Sequence, residues 1–276
     1  MNTPTAADGR GYPAPLDRLL EYGAASWTDW ADYVREFGLG SEHVPDLIRL
    51  ATDMELYWAE DENPAVWAPI HALRALGQLQ AEEAVKPLMR LWDEVDLDLV
   101  NEDLMRVYGM IGPAAIPALA SYLADDSAGL HSVGLACESL VEIAQRHPGA
   151  YKRCIDVLIE QFAKFADNDR AKNGFLLASL LDLRAVGALD LMERAFAAEA
   201  VDETIAGDWE DVQIEFGLRK ERSAEPRYGL SLADFGIGTL PKKNKPGRAA
   251  ARKKKAKRKQ AKAQRKKQRK KKKKRK

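Results

Sequence analysis

The chain has 276 residues, 46% of them apolar and 31% charged, so it can bury a sizeable core, which excludes disorder throughout. Its formal charge of +1 hides a division, because residues 242–276 hold 23 of the 43 Lys and Arg and none of the 42 Asp and Glu. The first 241 residues therefore carry 20 basic against 42 acidic side chains, a charge of −22.

Two cysteines, Cys137 and Cys154, cannot make a disulfide framework or a four-ligand zinc site. Both fall in apolar-periodic stretches and read as reduced core residues. No apolar run has the length of a signal peptide or a membrane span, so the expectation is a soluble, cytoplasmic protein.

Residues 1–12 read as a flexible N-terminus, and periodicity begins after them. Trp30, Val34 and Phe37 form a stripe with four-then-three spacing. The same spacing returns at Ala72, Leu76 and Leu79, then 32 residues on at Leu104, Tyr108 and Ile111, and again at Ala136, Leu140 and Ile143. It closes at Leu176, Leu180 and Leu183. Each set lines one face of a helix.

A three-then-four stripe follows each of these: Leu47, Leu50, Met54; Val85, Leu88, Trp92; Ile116, Leu119, Leu123; Ile155, Leu158, Phe162; and Leu189, Met192, Phe196. Asn63-Pro64, Gly112-Pro113, His147-Pro148 and Asp167-Asn168-Asp169 supply starts and stops between pairs. Alternating strand patterns are absent. A helix hairpin cannot bury two apolar stripes alone, whereas a stack of hairpins can. The expected fold is all-α: an α-solenoid of about five helix pairs over 13–218, a linker at 219–241, and a disordered basic tail at 242–276.

Residues 66–79 (VWAPIHALRALGQL), followed by Ala84-Val85-Lys86-Pro87-Leu88, resemble a HEAT repeat, as do residues 109–119 (GMIGPAAIPAL). With Gly207-Asp208-Trp209-Glu210-Asp211-Val212-Gln213, they resemble bacterial HEAT-repeat proteins of undetermined biochemical role. Some HEAT-like relatives are bilin lyases, so the resemblance carries an alternative: a lyase or a chromophore or protein chaperone. No motif here marks a chromophore site.

Candidate sites are sparse. His43, His71, His131 and His147 are scattered without metal-ligand spacing, and His71 reads as a helix-flank residue. His147, before Pro148, reads as a helix end. Glu60-Asp61-Glu62 and Asp93-Glu94, Asp96, Asp98, Glu102-Asp103 read as solvated loops with no calcium-loop frame. Gly236-Ile237-Gly238 lacks a phosphate-loop context, and no serine sits in a nucleophile elbow. The expectation is no enzyme, no cofactor and no metal.

Trp92 and Phe196 read as core, while Trp58 and Trp67 are the aromatics to watch for a partner. Gly207–Leu218 reads as a final half-pair, with Asp208 as its N-cap, closing the open end of the array. Lys86, Arg90, Lys152, Asp156, Glu193 and Arg194 share helices with the second stripes yet fall off them, which makes them candidates for binding an unidentified protein.

The tail has no aromatic and nothing apolar enough to pack, and spans at most ~120 Å when extended. Its like charges oppose a free helix, although residues 249–276 could turn helical on a phosphate lattice. Arg252, Lys253, Lys254, Lys255, Lys257, Arg258, Lys259, Arg265, Lys266, Lys267, Arg269 and Lys270 are the candidates for nucleic-acid contact, to RNA or DNA and without sequence readout. The reading is a monomeric adaptor with no membrane role, cytoplasmic and associated with nucleoid or ribosome. In the alternative the tail serves solubility or docks acidic proteins.

Overall fold

The computed structural model describes residues 11–59, 63–95 and 97–223. Glu60, Asp61, Glu62, Asp96, residues 1–10 and everything from 224, the basic tail included, lie outside the described residues. Among those described are fourteen α-helices and no strand, so the fold is all-α, with its helices stacked in chain order.

Contacts divide the chain into two compact units, the first ending at Ile111 and the second beginning at Gly112. The first holds α1 (Asp17–Glu21), α2 (Tyr33–Phe37), α3 (Val44–Ala51), α4 (Met54–Tyr57), α5 (Ala68–Gln78), α6 (Val85–Glu94) and α7 (Asp98–Ile111). The second holds α8 (Ile116–Leu123), α9 (Leu130–Arg146), α10 (Tyr151–Phe162), α11 (Arg170–Asp182), α12 (Leu189–Ala197), α13 (Glu203–Ala206) and α14 (Trp209–Glu215). Within the first unit α5 packs between α3 and α7; within the second α9 packs on α8, α10 and α11, and α11 on α13.

The 32-residue register is a register of burial. Ala72, Leu104 and Ala136, then Leu76, Tyr108 and Leu140, are fully enclosed. Leu79 is half-buried where Ile111 and Ile143 are buried. In the second helices Ile155, Leu189 and Phe196 are also half-buried, because Cys154 and Ala195 take the deeper positions beside them. Both cysteines are reduced and buried; burial pushes the Cys154 thiol up to about 11 and that of Cys137 higher still.

The first pair departs from its predicted stripe. The helix starts at Tyr33, because Asp32 caps it through an Arg35 N–H 3.1 Å from its carboxylate; Phe37 is buried as the stripe requires, but Tyr33 is buried where Val34 and Trp30 are half-buried. Residues 23–32 run ahead of it as a non-helical strap. The punctuation also differs. Asn63 and Asp169 cap the starts of new pairs, but Gly112-Pro113 and His147-Pro148 fall inside pairs. There they form the 3-10 turns that lead into α8 and α10, as Glu82–Ala84 and Val186–Ala188 lead into α6 and α12.

Two glycines set close approaches. A Cβ on Gly77 of α5 would lie 3.0 Å from Val107 Cγ2 of α7. Gly112 takes φ +83° and the His147 ring fills the space a side chain there would need, at 2.6 Å.

Leu140 tests the register. Leu140→Ala removes a fully buried side chain and is expected to cost about 2–5 kcal/mol in denaturant unfolding while the helical spectrum persists. A loss below about half a kilocalorie would sink it.

Candidate functional site

The most elaborate polar arrangement lies on α5. His71, Arg74 and Gln78 follow one another at three- and four-residue steps and so share a helix face. Each reaches the strap. His71 Nε2 lies 2.9 Å from the Gly23 carbonyl and Nδ1 lies 2.8 Å from the Tyr33 hydroxyl. A carbonyl can only accept, so Nε2 carries the proton and Nδ1 accepts from Tyr33. Gln78 donates to Ala31 O at 2.7 Å and accepts from the Tyr33 N–H at 2.8 Å.

Arg74 is the centre of the column and is wholly buried. Its Nε donates to Asp103 Oδ2 of α7 at 2.7 Å, its Nη2 donates to Ser26 O at 2.6 Å, and the guanidinium lies 4.8 Å from the Trp30 ring centroid. Burial pushes the Asp103 carboxyl up to about 6, against the pull of Arg74. Burial likewise drives His71 down to about 4, only partly offset by the bond to Gly23. At neutral pH the column therefore holds a neutral imidazole and an ion pair.

Two expectations change here. His71 is a buried helix-interior residue, not a flank, because its ring is needed to satisfy a backbone carbonyl under a loop. Asp103 is not part of a solvated loop: it lies on the inner face of α7, where Arg74 neutralises it. Sequence reading missed Arg74, Gln78 and Asp103 as a set. The signal available was an arginine flanked by Ala and Leu in an otherwise apolar helix, 29 residues before an aspartate that takes the place of His71 in the next repeat.

Chemically the column recognises extended backbone, and the chain's own strap occupies it. Away from the column, in the second unit, Cys137 and Cys154 are buried and pushed toward the thiol form. Among the described residues no group of three or more His, Cys, Asp or Glu could hold a metal ion. No described helix is long and apolar enough to cross a membrane.

Lys86 and Arg90 on α6, Lys152 and Asp156 on α10, and Glu193 and Arg194 on α12 are all exposed. Several are spoken for. Arg90 pairs with Glu94 at 3.1 Å, Lys152 with Asp156 at 2.7 Å, and the Arg194 guanidinium lies 5.8 Å from the Phe165 ring centroid. Such exposed pairs contribute at most about 1 kcal/mol. Helix α8 carries no charge at all. Trp92 is buried, Trp58 and Trp67 are half-buried, and the tail candidates from Arg252 to Lys270 lie outside the described residues.

At the other end, Asp208 caps α14 by accepting from the Asp211 N–H, and Asp211 returns the bond. Arg222 turns back to pair with both carboxylates. Burial works to raise Asp208, but the hydrogen bond from Arg222, the helix amides and the Arg222 charge together outweigh it and hold the carboxyl below its usual range.

Helix pairs stacked in order, with a register of 32 residues, define a helical repeat protein. The family model described as PBS lyase HEAT-like repeat matches residues 70–91, from within α5 to within α6. That stretch is similar to a HEAT-like repeat, in keeping with the stacked helix pairs around it. No curated protein and no solved structure matches it.

The column makes two predictions. Asp103→Ala leaves Arg74 buried without its counter-charge and is expected to cost about 3–5 kcal/mol, whereas Arg74→Met with Asp103→Leu costs much less. Denaturant titration of the three proteins measures this, and equal losses would refute it. For His71, the native ring binds its proton only near pH 4, whereas an unfolded histidine does so near 6.5. The unfolded state holds more protons between those values, so this contribution to stability is lost as pH falls through that window. Asp103, with its raised value, acts in the opposite sense in the acid part of the same window. The difference between wild type and His71→Gln isolates the histidine. The wild type should lose on the order of 2–3 kcal/mol more than the variant from pH 7 to 4.

Proposed function

We propose that the protein is a non-enzymatic adaptor: the helix pairs dock a protein partner, and the basic tail tethers the complex to nucleic acid. The observation that carries this reading is the segregation of charge, −22 over residues 1–241 against 23 cations and no acid over 242–276. Phosphate repels the first part and attracts the second, so the two parts bind different things.

On this reading residues 13–218 are the body, 219–241 join it to the tail, and the tail contacts phosphates through residues such as Arg252, Lys257, Arg265 and Arg269. Point charges without an aromatic give no base readout, so RNA and DNA of any sequence are bound alike. The partner protein lies against the exposed faces of the second helices, at Lys86 and Arg90, at Lys152 and Asp156, and at Glu193 and Arg194. The HEAT-like repeat supports protein docking, since such repeats work by presenting surfaces. The placement is cytoplasmic, at nucleoid or ribosome. The similarity of residues 70–91 to a PBS lyase HEAT-like repeat favours a second reading, a lyase-related scaffold, which a coloured or ligand-bearing purified protein would establish.

Ending the chain at Pro241 is expected to abolish nucleic-acid binding while leaving the helical spectrum and melting temperature nearly unchanged. For the full chain, about 6–10 engaged phosphates imply a log–log salt slope near −5 to −9 on duplex DNA, with different sequences bound within a few-fold. Binding by the truncated protein at physiological salt would place the interface on the body. Failure of the full chain at ~50 mM salt would make the tail a solubility or protein-docking device.

A further inference from the structure

The strap over α5 has firm ends and a thin middle. Leu16 and Leu19 before it and Tyr33 and Phe37 after it are buried. Between Leu19 and Tyr33 only Ala25 is buried, and Ala24, Thr28 and Asp29 are exposed. What fastens the middle is polar and falls on its main chain, since the Gly23, Ser26 and Ala31 carbonyls accept from His71, Arg74 and Gln78. One strap side chain joins in. The Trp30 ring centroid lies 4.8 Å from the Arg74 guanidinium and 6.0 Å from that of Arg106 on α7.

The fit is incomplete. Arg74 Nη1, Asp103 Oδ1 and Trp30 Nε1 are enclosed and have no hydrogen-bond partner among the described residues. Enclosed polar atoms are nearly always satisfied, and each one left over weakens the hold of whatever encloses it. Two donors and one acceptor are thus left over where the strap meets α5 and α7. The column selects carbonyls and an indole, which are not peculiar to the strap. A segment that brings the same groups competes for it, and one that also bonds the leftover atoms competes better.

We propose that the α5 column is a docking site for a non-helical, tryptophan-bearing peptide segment of a partner protein, with residues 23–32 as its intramolecular stand-in. This surface is separate from the second-helix faces named above, and its test involves neither those faces nor the basic tail. Displacement uncovers little, because Ala25 is the one buried side chain between the anchored ends. The ends need not move, since α1 and α2 make their own contacts with α5. The tethered strap acts at an effective concentration of order millimolar, so a free peptide competes poorly until the strap is weakened. The rival occupant is the strap of a second copy, which would make a dimer.

The test replaces residues 24–31 of the full chain with alternating Gly and Ser. The length and the anchored ends are kept, the indole is removed, and the strap has more backbone entropy to lose on docking. The probe is a fluorescein-labelled synthetic peptide of residues 23–32, read by anisotropy without nucleic acid. It is expected to bind the replaced chain at least ten-fold more tightly than the wild type. Adding Arg74→Met with Asp103→Leu to the replaced chain, or Trp30→Ala to the peptide, is expected to weaken that binding at least five-fold. If the replacement costs the chain its helical spectrum, the peptide added in trans is expected to restore it. Equal binding by wild type and replaced chain, binding that ignores Arg74 and Asp103, or a spectrum the peptide cannot restore would overturn the proposal. So would a wild-type dimer in sedimentation that the replacement dissolves, since the site would then belong to a second copy.

Discussion

Arg74 imposes the constraint on which the first unit is built. A guanidinium with no solvent exposure must meet an opposite charge and accept nothing less, since the desolvation of an unpaired ion exceeds several kcal/mol. Asp103 meets that demand from α7, and Ser26 O and the Trp30 ring meet it from the strap. One side chain therefore fixes three segments: the helix that carries it, the next first helix, and a stretch of chain with no helical order of its own. His71 and Gln78 repeat the arrangement above and below with neutral groups. Their bonds go to the backbone at Gly23, Ala31 and Tyr33, so they specify where the strap lies whatever its side chains are.

That division explains which parts of the fold are legible in the sequence. The apolar register is legible because burial repeats every 32 residues, and Leu76, Tyr108 and Leu140 occupy equivalent positions in three helices. Boundaries within pairs are less legible, since a Pro suits the first turn of a 3-10 segment as well as that of an α-helix; Pro113 and Pro148 sit in the former. The strap is the hardest. Its partners lie 45–48 residues away on α5, and a residue that serves a distant carbonyl leaves no local periodicity. His71 and Asp103 look like ordinary helix-edge and loop residues until α5 and α7 are brought together.

The candidate surface shows the converse. Lys86, Arg90, Lys152, Asp156, Glu193 and Arg194 are exposed because the stripe beside each is buried, which the 3.6-residue period dictates. Exposure follows from the pattern, whereas use by a partner does not, and paired charges such as Lys152 with Asp156 already satisfy one another at little net gain. A partner that draws on them must replace those bonds with others of equal strength, so affinity has to come from uncharged contact nearby, as the neutral outer residues of α8 could give.

The two ends of the described chain meet the same physical problem in different ways. A stack of helix pairs leaves one stripe open at each end, and an open stripe is apolar. At the N-terminal end the strap closes it with backbone, held by a polar column inside α5. At the C-terminal end the charges lie outside: Arg222 bridges the capping aspartates of α14 and draws the chain back across the helix start. Asp208 accepts from both the helix amides and Arg222, so the positive end of a short helix and a cation share one carboxylate, and acid conditions weaken both at once. A lock of that kind holds the departing chain in place only while it stays ionised.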